Sequence, residues 1–260
     1  GYRLAIWITR TAPLVIAEFF SWQLAYYSMA ALMSLNLLAS FWAEEPKVQF
    51  NEEKDLKKIL FDPIKEFFQR DSISSACFIL SFILFYKLGD AYASLLTSPF
   101  YIDIGFSKSE IAAVDGTVGF ISQFVGLFLG GGLIVYLGIN RSLWICGFLQ
   151  MISTAGFSFL AYIGADTLIF SGVVAFENIS SGMGTATFVA FMAALTDKRF
   201  TATQYALLTS LMSVPMNLIG ASSGILAESV GWFWFFLICT VAAIPGLILL
   251  SKVAPLKSKN

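Results

Sequence analysis

Eight runs of mostly apolar residues, at 4–20, 22–42, 74–98, 112–138, 142–163, 167–195, 203–227 and 231–251, fill most of the chain and leave short polar stretches between them. A helix rising ~1.5 Å per residue needs about 20 apolar residues to cross ~30 Å of hydrocarbon, so each run is expected to form one transmembrane helix. The longer runs tilt or project beyond the core. Leu, Ala, Met and Phe dominate without the in-out alternation of a barrel strand, which selects an all-α integral membrane fold. Composition agrees: 57% of the 260 residues are hydrophobic and 13% charged, against roughly 25% charged in a soluble domain.

Basic residues set the expected orientation, since loops rich in Lys and Arg stay in the cytoplasm. One set of alternate loops holds Arg3, Lys47, Lys54, Lys57, Lys58, Lys65, Arg70, Arg141, Lys198, Arg199, Lys252, Lys257 and Lys259, while the opposite set holds Lys108. Both ends of the chain and the 43–73 loop are therefore expected on the cytoplasmic side. Within that loop Leu56, Ile59, Leu60, Ile64, Phe67 and Phe68 recur at helical spacing opposite Lys57, Lys58, Lys65 and Glu66, as in an amphipathic helix on the inner membrane surface. Asp62 and Pro63 are expected to cap and start a second short helix there. A plain linker and a lipid-binding element both fit this segment.

Several function classes drop out. The net charge of -1 and the lack of a basic stripe interleaved with aromatics exclude nucleic acid as a partner. Cys77, Cys146 and Cys239 are far apart inside apolar runs and form no metal-ligand motif, and histidine is absent. No metal site, cofactor, nucleophile elbow or paired catalytic carboxylates is expected, hence no enzyme. The chain opens on Gly-Tyr-Arg without a signal-peptide n-region, so a fragment is expected.

Ionisable side chains at membrane depth are expensive, so those present mark a cavity or a partner. They are Arg10 and Glu18 in the first run, Lys87 and Asp90 in the third, Asp115 near the outer end of the fourth, and Glu177 in the sixth. Lys87 and Asp90, three apart on one helix face, can pair and cancel much of the cost of burial. A structural pair and a ligand or coupling role both remain open for them. Glu177 has no basic residue within a helical turn. Desolvation favours the neutral form of such a carboxyl, which suits a proton carrier; hydrogen bonding between helices is the competing explanation. The run Ser180 to Ala186 and the glycines Gly126, Gly130, Gly131 and Gly132 are assigned to close helix packing.

Particular strings resemble one transporter family. FYKLGDAYASLLTSPFYIDIGFSKSEIAAVDGTVG at 85–119 looks like the start of the second half of AmpG-type muropeptide permeases of the major facilitator superfamily. GINRSLWICGFLQMIS at 138–153, FENISSGMGTATFVAFMAALTDKRFTATQYALLTSLMSVP at 176–215, and GWFWFF with AAIPGLILL near the end agree in order and spacing. The resemblance covers nearly the whole chain. It implies a partial superfamily bundle: the last two helices of the N-terminal half at 1–42, a cytoplasmic amphipathic linker at 43–73, the six-helix C-terminal half at 74–251 and a cytoplasmic tail at 252–260.

By the same resemblance the chain is expected to serve proton-driven import of anhydromuropeptides, cell-wall sugar-peptide fragments, across the bacterial inner membrane during peptidoglycan recycling. Glu177, Asp90 and Asp115 are then proton-coupling candidates, and Lys87, Asn178, Gln123 and Arg10 line the substrate path. Gln204 is a further candidate hydrogen-bonding group, and Arg141 a cytoplasmic gate. Implied partners are the solute, protons, membrane lipid and the missing N-terminal helices. Two departures stand out: Asp115 and Gly116 replace an Asn-Lys pair common in the family, and Asn217 stands where an Arg is common. They leave open a paralogue carrying another solute, such as an acetyl-coenzyme A-like anion. A non-transporting fragment acting as an interaction partner also stays open.

Overall fold

The structure, a computed structural model, describes residues 20–42, 56–70 and 72–255 together with Pro13 and Ile16. Every regular element among them is helical. The chain divides into two compact units, residues 1–53 and 54–260.

The first unit shows helix α1 (Trp22–Trp42). The Ser21 hydroxyl accepts the Leu24 amide at 3.2 Å and so satisfies one of the orphan donors at the helix start. Large apolar side chains such as Tyr26, Tyr27, Met33 and Phe41 stand exposed around it, as expected of a helix whose solvent is lipid. Most of the run expected at 4–20, including Arg10 and Glu18, lies outside the described residues.

The second unit begins with α2 (Leu56–Gln69). The new helix start expected at Asp62 and Pro63 is absent: α2 runs on through Pro63, whose carbonyl accepts from Gln204 Nε2 at 2.9 Å. Helices α3 (Ile73–Tyr86), α4 (Leu88–Ser94) and α5 (Thr97–Asp103) follow end to end. Next come α6 (Lys108–Ala113), a π-helical turn (Val114–Gly119) and α7 (Phe120–Ile163). The unit closes with α8 (Thr167–Ala194), α9 (Thr201–Ala242) and α10 (Ile244–Val253).

Among the described residues three stretches are long and apolar enough to cross a membrane: Ile73–Asp103, Lys108–Ile163 and Ser222–Val253. Helix α8 falls short because Glu177, Asn178 and the Ser, Gly and Thr residues after them dilute its apolar content. The middle stretch would extend to about 84 Å as one straight helix, far beyond a bilayer core. Gly138 divides it, at φ 76° and ψ 165°, and Gly231 divides α9 with φ 77° and ψ 163°. A positive φ of this kind is cheap for glycine alone. Helix α7 therefore comprises segments 120–137 and 139–163.

Segment 139–163 runs antiparallel to α8. Cys146 Sγ meets Thr187 Oγ1 at 3.5 Å, Gln150 lies on Gly184, and Gly156 faces Val173. Segment 120–137 packs on another face of α8, with Gly126 against the Ile179 main chain and Gly130 against Met183. Two buried clusters fill the remaining space. One gathers Phe100, Tyr101, Phe157, Phe170, Phe235 and Phe236; the other gathers Phe82, Tyr86, Leu143, Phe188, Phe191 and Leu247. On the outside Phe128, Val135, Tyr136, Tyr162 and Leu168 are exposed, an apolar surface larger than water tolerates.

Candidate functional site

The 73–103 segment is not one continuous helix. Lys87 sits between α3 and α4 at φ -98° and ψ 4°, so the main chain breaks where the first charged side chain enters. Packing fixes both sides of the break. The Tyr86 hydroxyl donates to the Leu143 carbonyl at 2.8 Å, and Gly89 lies against the Cys239 carbonyl with no room for a side chain.

At the break Lys87 and Asp90 pair, as their i,i+3 spacing allows. Lys87 Nζ meets Asp90 Oδ2 at 2.9 Å, with the two side chains 14% and 17% exposed. The same oxygen accepts Gln150 Nε2 at 3.2 Å, from segment 139–163. Glu177 completes the cluster from α8, with Asp90, Ser153 and Lys87 as the electrostatic neighbours of its carboxyl. Three separate stretches of chain thus bring two carboxyls, one ammonium, an amide and a hydroxyl together. With both acids ionised the ion set carries one net negative charge; binding a single proton cancels it.

The neighbourhood also holds polar atoms that the protein does not satisfy. Glu177 Oε2 and Gln150 Oε1, both of the cluster, are buried without a hydrogen-bond partner among the described residues, as are Ser180 Oγ on α8 and Gln123 Nε2 on segment 120–137. Unpaired buried polar groups are rare in native folds and call for an explanation.

The other expected residues scatter. Asp115 is exposed on the π-helical turn and shares the Tyr101 phenol as an electrostatic neighbour with Glu177. Asn178 donates to the Val174 carbonyl at 2.9 Å on its own helix and packs against Gly119. Gln123 lies beside Gly182, on the face of α8 that segment 120–137 covers. Arg141 is exposed just after the Gly138 reversal, in the turn where Asn140 and Trp144 donate to the Pro255 and Ala254 carbonyls. Arg10 is outside the described residues.

Gln204 is a correction. It is buried, donates to Pro63 O and to Glu66 Oε2 at 2.6 Å, and accepts the Asp197 amide at 2.7 Å. Its amide clamps α2 onto the start of α9 and is committed to structure. Gln150 and Ser153 are not among the residues the sequence singles out, because neither carries a charge whose burial would mark it and their partners come from other helices. Their signal was a Gln, Ser and Thr set at 150, 153 and 154 in the middle of the 142–163 run.

Comparison with known proteins agrees with this architecture. The chain is 38% identical over 252 residues to the anhydromuropeptide permease of Escherichia coli K12, covering 96% of the chain and 51% of the permease. It is 37% identical over 269 residues to an uncharacterized protein of Haemophilus influenzae, covering 100% of the chain and 63% of that protein. A putative transporter AmpG 4 of Rickettsia felis is 31% identical over 258 residues, covering 96% of the chain and 61% of the transporter. The chain thus spans between half and two thirds of the length of these relatives. The sequence profile of the Major Facilitator Superfamily matches residues 1–221. On that match, and with helices built for lipid, the chain belongs to the Major Facilitator Superfamily, a family of membrane transporters and not of enzymes.

Proposed function

We propose that the chain serves proton-coupled import of anhydromuropeptide-like solutes across the bacterial inner membrane, with Asp90 and Glu177 as the coupling carboxyls. The observation that carries this reading is the cluster itself: Lys87, Asp90 and Glu177 meet between helices, around buried polar atoms with no partner of their own. Charged groups persist at such depth where they serve an ion or substrate pathway. The solute class is taken from the Escherichia coli relative, an anhydromuropeptide permease.

In this scheme the proton biases the rocking of one helical half against the other. Lys87 alternates between holding Asp90 and releasing it as the cluster's charge changes. Asn178, Gln123 and Arg10 belong to the solute path, Asp115 is a further proton acceptor, and Arg141 gates the cytoplasmic side. The 43–73 loop and both ends of the chain face the cytoplasm, following the bias of basic residues.

Uptake of labelled anhydromuropeptide into permease-null cells tests the reading. Uptake restored by the chain, or by the chain with the remaining helices supplied in trans, should collapse with an uncoupler and fail in Glu177→Gln. Uptake that ignores the uncoupler refutes proton coupling. Uptake of an acetyl-coenzyme A-like anion instead would reassign the solute.

A further inference from the structure

Segment 139–163 contributes no charge to the cluster, yet it supplies the group that touches both Asp90 and α8. Gln150 is 5% exposed. Its Nε2 reaches the same Asp90 oxygen that Lys87 holds, and its Oε1 is buried without a partner among the described residues. Space for this side chain exists because residue 184 is glycine: a methyl there would collide with Gln150 Oε1. One turn along the segment, Ser153 is an electrostatic neighbour of Glu177, and its hydroxyl donates to the Gln150 carbonyl at 3.0 Å. Thr154 Oγ1 donates to that same carbonyl at 2.9 Å. The main chain at 150 is thereby held by two hydroxyls while the side-chain amide spans the gap between helices.

We infer that Gln150 is a positioning residue of the coupling centre, seated in the notch left by Gly184 and holding Asp90 in place when Lys87 lets go. The inference rests on the proposed coupling role of Asp90 and Glu177 and names what that role left unassigned. An amide suits the task because it is neutral at every physiological pH and carries both donor and acceptor. It can keep a carboxyl oriented in either charge state without adding to the charge of the site. Gly184 belongs to the same device, since its missing side chain is the amide's seat.

Other titratable groups crowd the site. Tyr86 and Tyr101 lie on the 73–103 stretch with Lys87, and Cys146 lies on the same segment as Gln150. The Tyr86 hydroxyl is engaged with Leu143 and the Cys146 thiol with Thr187. Carboxyl signals must therefore be assigned individually.

The test is infrared difference spectroscopy of the purified chain in lipid nanodiscs, with carboxyl bands assigned by Asp90→Asn and Glu177→Gln. Gln150→Leu, similar in size but without the amide, should displace the titration midpoint of these bands by about one pH unit, tenfold in proton affinity. Gly184→Ala should displace it as well, and should lose that effect in a Gln150→Ala background where the collision is gone. Thermal unfolding run alongside identifies any variant that has lost its fold, and Gln150→Met, which also lacks the amide, then replaces Gln150→Leu. Bands that stay put in Gln150→Leu with the fold intact overturn the proposal. Bands that move in a chain showing no uptake leave the positioning role standing and overturn the transport reading instead.

Discussion

Gly126 lies flat against the main chain at Ile179: a methyl on it would run into the Ile179 carbonyl oxygen. One turn on, a methyl on Gly130 would stand 2.7 Å from the Met183 Cα. The next two glycines differ, for Gly131 and Gly132 have nothing within 4 Å of where a side chain would begin. The four were expected to act as one packing surface, and the structure divides them between contact and open space.

Stability should follow that division. Gly126→Ala and Gly130→Ala push two main chains apart and should each cost about 1–3 kcal/mol, the usual range for overpacking. Gly131→Ala meets nothing, and should gain about 0.5–1 kcal/mol by restricting the unfolded chain. Thermal unfolding in detergent micelles measures all three; equal loss at 126 and 131 would defeat the packing assignment.

Some of this architecture was readable in the residues and some was not, for physical reasons. Apolar run length marks a lipid-embedded helix directly, because hydrocarbon offers no alternative partner for the main chain. The limits at Gly138 and Gly231 were legible as breaks between runs. The junction of Lys87, Asp90 and Glu177 was not, since Glu177 has no basic neighbour on its own helix and finds Lys87 and Asp90 only across a helix interface. Gln204 shows the reverse: a polar residue in an apolar run reads as a ligand contact, whereas its amide is engaged by the Pro63 carbonyl and the Glu66 carboxyl. Neither one-dimensional spacing nor cost of burial reveals which neighbour arrives from elsewhere in the chain.

Lys87 and Asp90 should show the asymmetry of a desolvated pair. Removing one partner leaves the other charge poorly compensated, so Lys87→Met or Asp90→Leu alone should destabilise toward the lower end of the ~3–5 kcal/mol seen for broken buried pairs. The double variant removes both charges and should recover most of the loss. Unfolding midpoints compared across the set decide the matter. A double variant as unstable as the sum of the singles would mean that the 2.9 Å contact contributes nothing.

Acid should release α2 from α9. A hydrogen bond from Arg70 holds the Glu66 carboxyl below its ordinary value, with Gln204 adding to the effect and desolvation opposing it. At the adjoining turn, Asp197 is held down to about 2 chiefly by its hydrogen bond with Arg199. A depressed carboxyl contributes stability that is fully present above its unfolded value, roughly 4.3 for Glu, and is lost as pH falls through the folded value. Docking should therefore be constant from neutral pH to about 5 and fail below the ordinary glutamate range. Spin labels on α2 and on 205–211 would report the separation, and Glu66→Gln should weaken docking at neutral pH. Separation beginning near neutrality would assign the switch to another group.

The two reversals at Gly138 and Gly231 share one backbone conformation, with φ 76° and 77°. Neither has an atom within 4 Å of a side-chain position, so any penalty for a methyl there is conformational and not steric against neighbours. Gly138→Ala and Gly231→Ala should each cost about 1–3 kcal/mol, the penalty of a positive-φ, extended-ψ backbone that is essentially confined to glycine. Gly172→Ala is the matched control, because it too has open space around it but lies within the α8 helix. Alanine there should be neutral or slightly stabilising in the same unfolding assay. The loss at 138 should also carry a structural signature. Straightening would extend segment 120–137 into 139–163 and pull Trp144 from the Ala254 carbonyl, now 3.1 Å away. A red shift in Trp144 fluorescence, read with the other five tryptophans replaced by Phe, would report that movement. A Gly138→Ala chain with unchanged stability and emission would show that the reversal is fixed by something other than the glycine.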